Sequence, residues 1–324
     1  MTKEPTREDV LKEIKRRKRK DFGKYGDKNI SYKSLLDLYV RRCKVRNLSE
    51  ATIQGYMNAS RYFMDFAGYD LMCIDIDQDL INEYYLYLQN FYKPQTINSY
   101  VFKVCPIVKF GIEEGYIKDD IIFTHVVEQK QVKEIYTKEE LEKLLVRPQN
   151  GTFGEMRAWT VINTLISTGI RAGELRALKI KDVKIDERYI VLNQTKNREP
   201  RILPMPTTLQ KVLLEWLEIR NGASEDYLFC NIYGEKLERS VLQSCVKKYS
   251  LKRGVKKYGL HLYRHTFITL SVKSGMSPVM LKRITGHKSM KMLEHYYQHN
   301  PTDLVDIVDQ YNPLEKFSPR VRKF

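Results

Sequence analysis

Thr168-Gly169-Ile170-Arg171-Ala172-Gly173-Glu174-Leu175 is the stretch on which the reading of this chain turns. Before it, residues 156–168 are rich in apolar side chains and contain neither Gly nor Pro, the pattern of a buried helix, and Gly169 marks its stop. After it, RAGELRALKI has helical spacing. Residues 183–206, VKIDERYIVLNQTKNREPRILPMP, then alternate and carry turn residues, which predicts a small hairpin sheet. Helical patterns return in PTTLQKVLLEWLEIRN, LHLYRHTFITLSVKSG and SPVMLKRITGHKSMKMLEHYYQH.

The first half reads differently. Residues 1–28 are mostly charged, and Lys15, Arg16, Arg17, Lys18, Arg19 and Lys20 form an unbroken basic block suited to phosphate contact. Residues 30–117 hold four helical patterns and few strand signals. Ser49 opens one, Asp77 precedes another, and Pro94 opens the last. Residues 121–134 have mixed character and read as a linker, after which Thr137 to Glu140 form a capping box. The expected organisation is an arm (1–28), a helical domain (29–120), a linker (121–134), a mixed domain (135–300) and an amphipathic tail with a basic end (301–324). The fold class is mainly α with a small β-sheet.

A length of 324 residues suits about two domains. Hydrophobic residues make up 42% of the chain, which excludes a chain disordered throughout. Lys plus Arg number 56 against 40 Asp plus Glu, and the resulting net charge of +16 points to a polyanionic partner, nucleic acid first. No run of about 18 uncharged apolar residues suggests a membrane span, and the charged start lacks the apolar segment of a secretory signal. The five cysteines form no CxxC pair, so reduced thiols in the cytoplasm are expected.

The mixed half carries residues suited to a phosphodiester. Two guanidinium forks, Arg171 and Arg264, can hold non-bridging oxygens bidentately and stabilise the charge that develops on attack. A Tyr hydroxyl, with an ordinary pKa of about 10, needs a base or a positive field to become a nucleophile. His261, three residues before Arg264, can accept that proton. Lys196, in the hairpin turn, can protonate the leaving 5′-oxygen. His287 can donate a hydrogen bond to a phosphate oxygen, and Glu174, one turn after Arg171, orients a neighbouring group. Taken singly, each has a blander reading: a lone Arg or turn Lys is mostly solvated, and a lone His mostly structural. A metal shared by His261 and His265 is disfavoured, because Leu262 stands where the zincin motif needs Glu and no CxxC pair helps. No metal and no cofactor are expected.

The ordered set resembles the tyrosine recombinase (phage integrase, Xer-like) family. Its TGxRxxEL motif corresponds to residues 168–175, its hairpin Lys to Lys196 before Arg201 and Pro204, its HxLRH to His261-Leu262-Tyr263-Arg264-His265, and its LLGH to Ile284-Thr285-Gly286-His287. The family's nucleophile lies nine residues beyond that His, at Tyr296. Three departures stand out: Tyr263 replaces Leu, Met292 and Leu293 replace a common Thr-Thr, and Tyr296 is followed by Tyr297-Gln298-His299. The interval to His299 would favour Tyr297, so Tyr297 is the alternative nucleophile to Tyr296.

The resemblance implies a helical core-binding (SAM-like) domain before the catalytic domain, the two clamping double-stranded DNA at specific recombination sites. It implies a covalent 3′-phosphotyrosine intermediate that needs neither ATP nor metal. It also implies a homo-tetramer on two DNA sites, a Holliday junction, and room for accessory DNA-bending or directionality factors. The expected location is cytoplasmic, on the nucleoid. The tail from Pro301 can dock on a neighbouring protomer or on its own domain. The competing readings are a non-catalytic DNA-binding protein, which leaves the ordered site unexplained, and a DNA-relaxing enzyme of the type IB topoisomerase kind.

Overall fold

The structure, a computed structural model, describes residues 29–118, 120–128, 134–193, 200–287, 289–294 and 296. The basic block Lys15 to Lys20, the turn with Lys196, Tyr297 and the tail lie outside the described residues. The chain divides into two compact units, Met1–Gln131 and Val132–Phe324.

The first unit is helical: α1 (Tyr32–Val45), α2 (Glu50–Ala67), α3 (Gln78–Gln89) and α4 (Pro94–Glu113). The starts follow local chemistry. Ser31, Ser49 and Asp77 accept from the backbone N–H of Ser34, Thr52 and Leu80, and Pro94 takes the first helical position. Much of the abundant aromatic content is core. Phe63 sits between Tyr32 and Tyr84, with ring centroids 5.0 Å away on both sides. Beyond α4 the chain is irregular yet tied down. Tyr85 Oη donates to the Thr124 carbonyl at 2.6 Å, and the Asn98 amide both donates to and accepts from the Val126 backbone at 2.9 Å. The front of the stretch read as a linker is therefore part of this unit.

The second unit is built around α6 (Phe153–Thr168), which is buried along most of its faces. Three threonines make that burial tolerable: Thr160, Thr164 and Thr168 each donate their hydroxyl to the carbonyl four residues earlier. Around α6 pack α5 (Lys138–Leu145), α8 (Thr207–Arg220), α9 (Arg239–Lys252) and α10 (Leu260–Lys273). The capping box at Thr137 is present. Strands β1 (Val183–Lys184), β2 (Tyr189–Leu192) and β3 (Arg201–Pro204) form an antiparallel sheet in the order β1-β2-β3, with Tyr189 opposite Pro204 and Leu192 opposite Arg201.

Three local expectations are corrected. The helix after Gly169 is only α7 (Ala172–Ala177), because the backbone beyond it pairs with a distant segment: the Ile180 N–H donates to the Asp226 carbonyl and the Leu228 N–H to the Leu178 carbonyl. Helix α9 lies in a region to which the sequence assigned no element. The final helical pattern breaks into α11 (Pro278–Thr285) and α12 (Lys291–Glu294), since Gly286 adopts φ +67 and caps α11.

Candidate active site

Gly169 ends α6 in the left-handed conformation, φ +60, and this turn brings Arg171 to the N-cap of α7. A Cβ at Gly169 would overlap the Phe267 ring, so the turn also requires a bare backbone. One turn into α7, the buried Glu174 carboxylate accepts four hydrogen bonds. Arg171 contributes its backbone N–H and Nη1, both at 3.0 Å. Arg201, from the first position of β3, contributes Nη1 and Nη2 at 2.8 and 2.7 Å. The acceptor capacity of the carboxylate is filled. Burial alone would raise the Glu174 pKa, but the Arg201 hydrogen bonds and charge, with Arg171 behind them, hold it below the ordinary carboxylate value.

The three arginines meet again at the C-terminus of α11. The carbonyls of Ile284, Thr285 and Gly286 accept from Arg201 Nε at 3.2 Å, Arg264 Nη2 at 2.7 Å and Arg171 Nη2 at 2.7 Å. These carbonyls sit where a helix leaves its last acceptors unpaired and where its dipole favours cations. Arg264, from α10, also donates Nη1 to the Gly169 carbonyl at 2.5 Å. It is 7% exposed. Burial first, and then the charge of Arg171, pull its pKa down to about 9, which leaves it charged at neutral pH. Among the described residues, two guanidiniums bond one carboxylate and a third, Arg264, shares the same helix end, so positive charge remains for an anion to meet.

His287 follows directly. Its Nε2 lies 3.3 Å from Arg264 Nη2, and its Nδ1 lies 2.7 Å from Thr285 Oγ1. Tyr296 packs against a small apolar cluster of Ile268, Val272, Leu281 and Leu293, and its N–H donates to the Leu293 carbonyl at 2.9 Å. Its hydroxyl hydrogen-bonds His265 Nδ1, with ring centroids 5.9 Å apart. Burial pushes the Tyr296 pKa up to about 12, and the Arg264 charge opposes the rise.

The expected site residues therefore divide. Arg171, Glu174, Arg264 and His287 come together, and Tyr296 packs on the cluster that includes α10 and α11 residues. His261 lies one turn before His265 on α10 and is exposed. Lys196 and Tyr297 lie outside the described residues. Arg201, Thr285 and His265 join the site without having been assigned roles. The visible signal for Arg201 was its place beside Pro204 in the hairpin, and for Thr285 its place directly before Gly286-His287. Two departures from the family pattern have structural reasons. Leu293 is fully buried beneath Tyr296, and Tyr263 stacks on Tyr136 with centroids 4.4 Å apart.

Residues 134–303 match the phage integrase family, and residues 34–126 match the phage integrase SAM-like domain. Among curated relatives, the tyrosine recombinase XerC of Thermodesulfovibrio yellowstonii is 26% identical over 63% of this chain and 71% of its own. The tyrosine recombinase XerD of Staphylococcus aureus is 22% identical over 86% and 99%. Among solved structures, the Tn1549 transposon integrase in complex with transposon right end DNA aligns with a TM-score of 0.70 at 21% identity, covering 86% of this chain and 99% of that one. A lambda integrase dimer bound to a core site aligns at 0.66 and 17% identity, covering 90% and 85%. With its helical unit and its arginine-rich unit both matched, the chain belongs to the phage integrase family, the tyrosine recombinases that cleave and rejoin DNA.

Proposed function

We propose that this protein is a site-specific DNA recombinase that works through a covalent 3′-phosphotyrosine. The observation that carries the reading is the convergence of Arg171, Arg201 and Arg264 on the end of α11, with the Glu174 carboxylate bonded to the first two and Tyr296 on the adjoining cluster. Arg171 and Arg264 grip the non-bridging oxygens of the scissile phosphate, while Arg201 and Glu174 hold Arg171 in place. Tyr296 Oη attacks phosphorus and the P–O5′ bond breaks. The hydroxyl proton passes to a histidine, and Lys196 Nζ supplies a proton to the departing 5′-oxygen. The contact of His265 with Tyr296 Oη supports His265 as the first acceptor, in place of His261, to which the sequence assigned that proton. Reversal of the same steps by another strand's 5′-hydroxyl rejoins DNA, so the bond energy stays in the link and neither metal nor ATP enters.

On this reading both units contact duplex DNA, assisted by the net positive charge of +16. Four copies act on two sites through a Holliday junction, and accessory factors set direction. Residues 301–324, outside the described residues, dock either on a neighbouring protomer or on their own domain. The setting is the cytoplasm and nucleoid; among the described residues no helix is long and apolar enough to cross a membrane. The test is a covalent trap. Nicked suicide duplexes cut from the DNA flanking the gene are mixed with the protein, and the linked peptide is mapped by mass spectrometry. An adduct on Tyr296 is expected. An adduct on Tyr297 keeps the mechanism and moves the nucleophile. Tight binding to the cognate site with no adduct overturns the catalytic reading in favour of a DNA-binding protein, and relaxation without strand exchange favours the topoisomerase kind.

A further inference from the structure

We propose that Thr285 is a positioning residue that fixes His287 as its Nδ1–H tautomer, so that His287 can donate to the scissile phosphate only after taking up a proton. Two independent contacts require the same tautomer. On one side, His287 Nε2 lies 3.3 Å from Arg264 Nη2. A guanidinium only donates, so Nε2 accepts and carries a lone pair. On the other side, Thr285 Oγ1 has a single hydrogen and gives it to the Leu281 carbonyl at 2.6 Å. Toward His287 Nδ1, at 2.7 Å, the hydroxyl therefore accepts, and Nδ1 carries the hydrogen. The result is one directed chain: Arg264 to His287, His287 to Thr285, Thr285 to Leu281.

Thr285 is fully buried, and its own carbonyl holds Arg264 Nη2 at 2.7 Å. One residue thus orients both groups, Arg264 through its backbone and His287 through its hydroxyl. Where the family has Leu in LLGH, no hydroxyl would hold Nδ1–H, and one of the two constraints on the tautomer would be gone. Here a neutral His287 presents a lone pair, which repels a phosphate oxygen. The added proton comes from bulk water. Among the described residues, Arg264 of α10 meets the ring directly; Arg171 at α7 and Arg201 of β3 bond the neighbouring Gly286 and Ile284 carbonyls, Glu174 bonds both of those arginines, and His265 of α10 bonds Tyr296.

This inference deepens the proposed reading and rests on it for the phosphate contact, while the tautomer itself is measured without DNA. Full-length protein labelled with 15N-histidine is examined by long-range 1H–15N spectroscopy, well above the ordinary histidine pKa of about 6.5. The chain has six histidines, and the His287 signals are assigned by their loss in His287→Gln. A protonated-type shift at Nδ1 and an unprotonated-type shift at Nε2 are expected. Thr285→Ser should keep that pattern, and Thr285→Val, which leaves only the Arg264 contact, should weaken it and raise the share of Nε2–H rings. The opposite tautomer in the parent protein overturns the proposal, even if Thr285→Val does not fold. In single-turnover cleavage of cognate DNA, the parent and Thr285→Ser should lose activity as pH rises through the histidine range. Thr285→Val should keep more of its activity at the alkaline end of that range, because a larger share of neutral rings can then donate. If the tautomer is as expected but His287→Gln cleaves like the parent, the tautomer stands and the phosphate role falls.

Discussion

Arg201 on β3 and Glu174 on α7 form a bidentate pair, with Nη1 and Nη2 at 2.8 and 2.7 Å from the two carboxylate oxygens. The pair is almost wholly buried, at 13% and 4% side-chain exposure. Because the same carboxylate also holds Arg171, it joins the sheet to the turn that presents Arg171.

Replacing Glu174 by Gln leaves two guanidiniums facing a neutral amide. Removing one partner of a buried pair costs about 3–5 kcal/mol, read as a lower urea midpoint. The folded Glu174 pKa lies below the ordinary value, so its stabilisation is present above the ordinary Glu pKa of about 4.3 and is lost as pH falls through the folded value. The stability gap between parent and Glu174→Gln should therefore narrow in acid. A gap that does not change with pH would show that shape, not charge, holds the turn.

Arg264→Lys and Arg171→Lys should each lower the cleavage rate by orders of magnitude, because an ammonium cannot reproduce the fork. Duplex binding, spread over many phosphates, should change by less than about tenfold. Single-turnover kinetics beside gel-shift affinity separates the two effects. Near-normal cleavage by either variant would remove that arginine from the phosphate.

His265→Ala should slow adduct formation by about 10²–10⁴-fold if His265 takes the Tyr296 proton. His261→Ala should slow it comparably if the base is instead brought to the site by DNA. Measuring both on one substrate assigns the proton acceptor.

Tyr296→Phe should abolish the covalent adduct and leave DNA affinity intact. The raised Tyr296 pKa favours the neutral hydroxyl in the folded state. That stabilisation is complete below the ordinary Tyr pKa of about 10 and is lost as pH rises through about 12. Above pH 10, Tyr296→Phe should lose less stability than the parent, which alkaline denaturation measures.

Lys196→Ala should cleave poorly on ordinary DNA and recover on a 5′-bridging phosphorothiolate, whose leaving group needs no proton. Failure to recover would take Lys196 out of the acid role.

Gly169→Ala should destabilise the second unit by about 2 kcal/mol or more, since φ +60 strains any Cβ and this one meets Phe267. Cleavage should fall further than stability explains, because the Gly169 carbonyl anchors Arg264.

Local chemistry was legible where it acts over a few residues. Ser49, Asp77, Pro94 and Thr137 announced helix starts, and Gly169 announced a stop, because caps and left-handed turns are decided by neighbours in the chain. The order of Arg171, His261, Arg264, His287 and Tyr296 was enough to indicate the family. The short α7 and the unforeseen α9 were not legible, because the first is ended by pairing with residues 226–228 and the second is a helix whose amphipathic signal is diluted by Ser, Gln and Lys.

By itself, the sequence determined that this chain has a helical unit followed by a mixed unit, that its net charge of +16 favours a polyanionic partner, and which residue types stand ready for a phosphodiester. Only the tertiary structure decided which groups act together. Arg201 on a strand, Arg264 on one helix and Arg171 at the cap of another share the carbonyls of residues 284–286 because a helix end offers acceptors with no partner in its own chain segment. Those carbonyls lack partners within their own helix, and here donors that folding brings from far away in the sequence satisfy them.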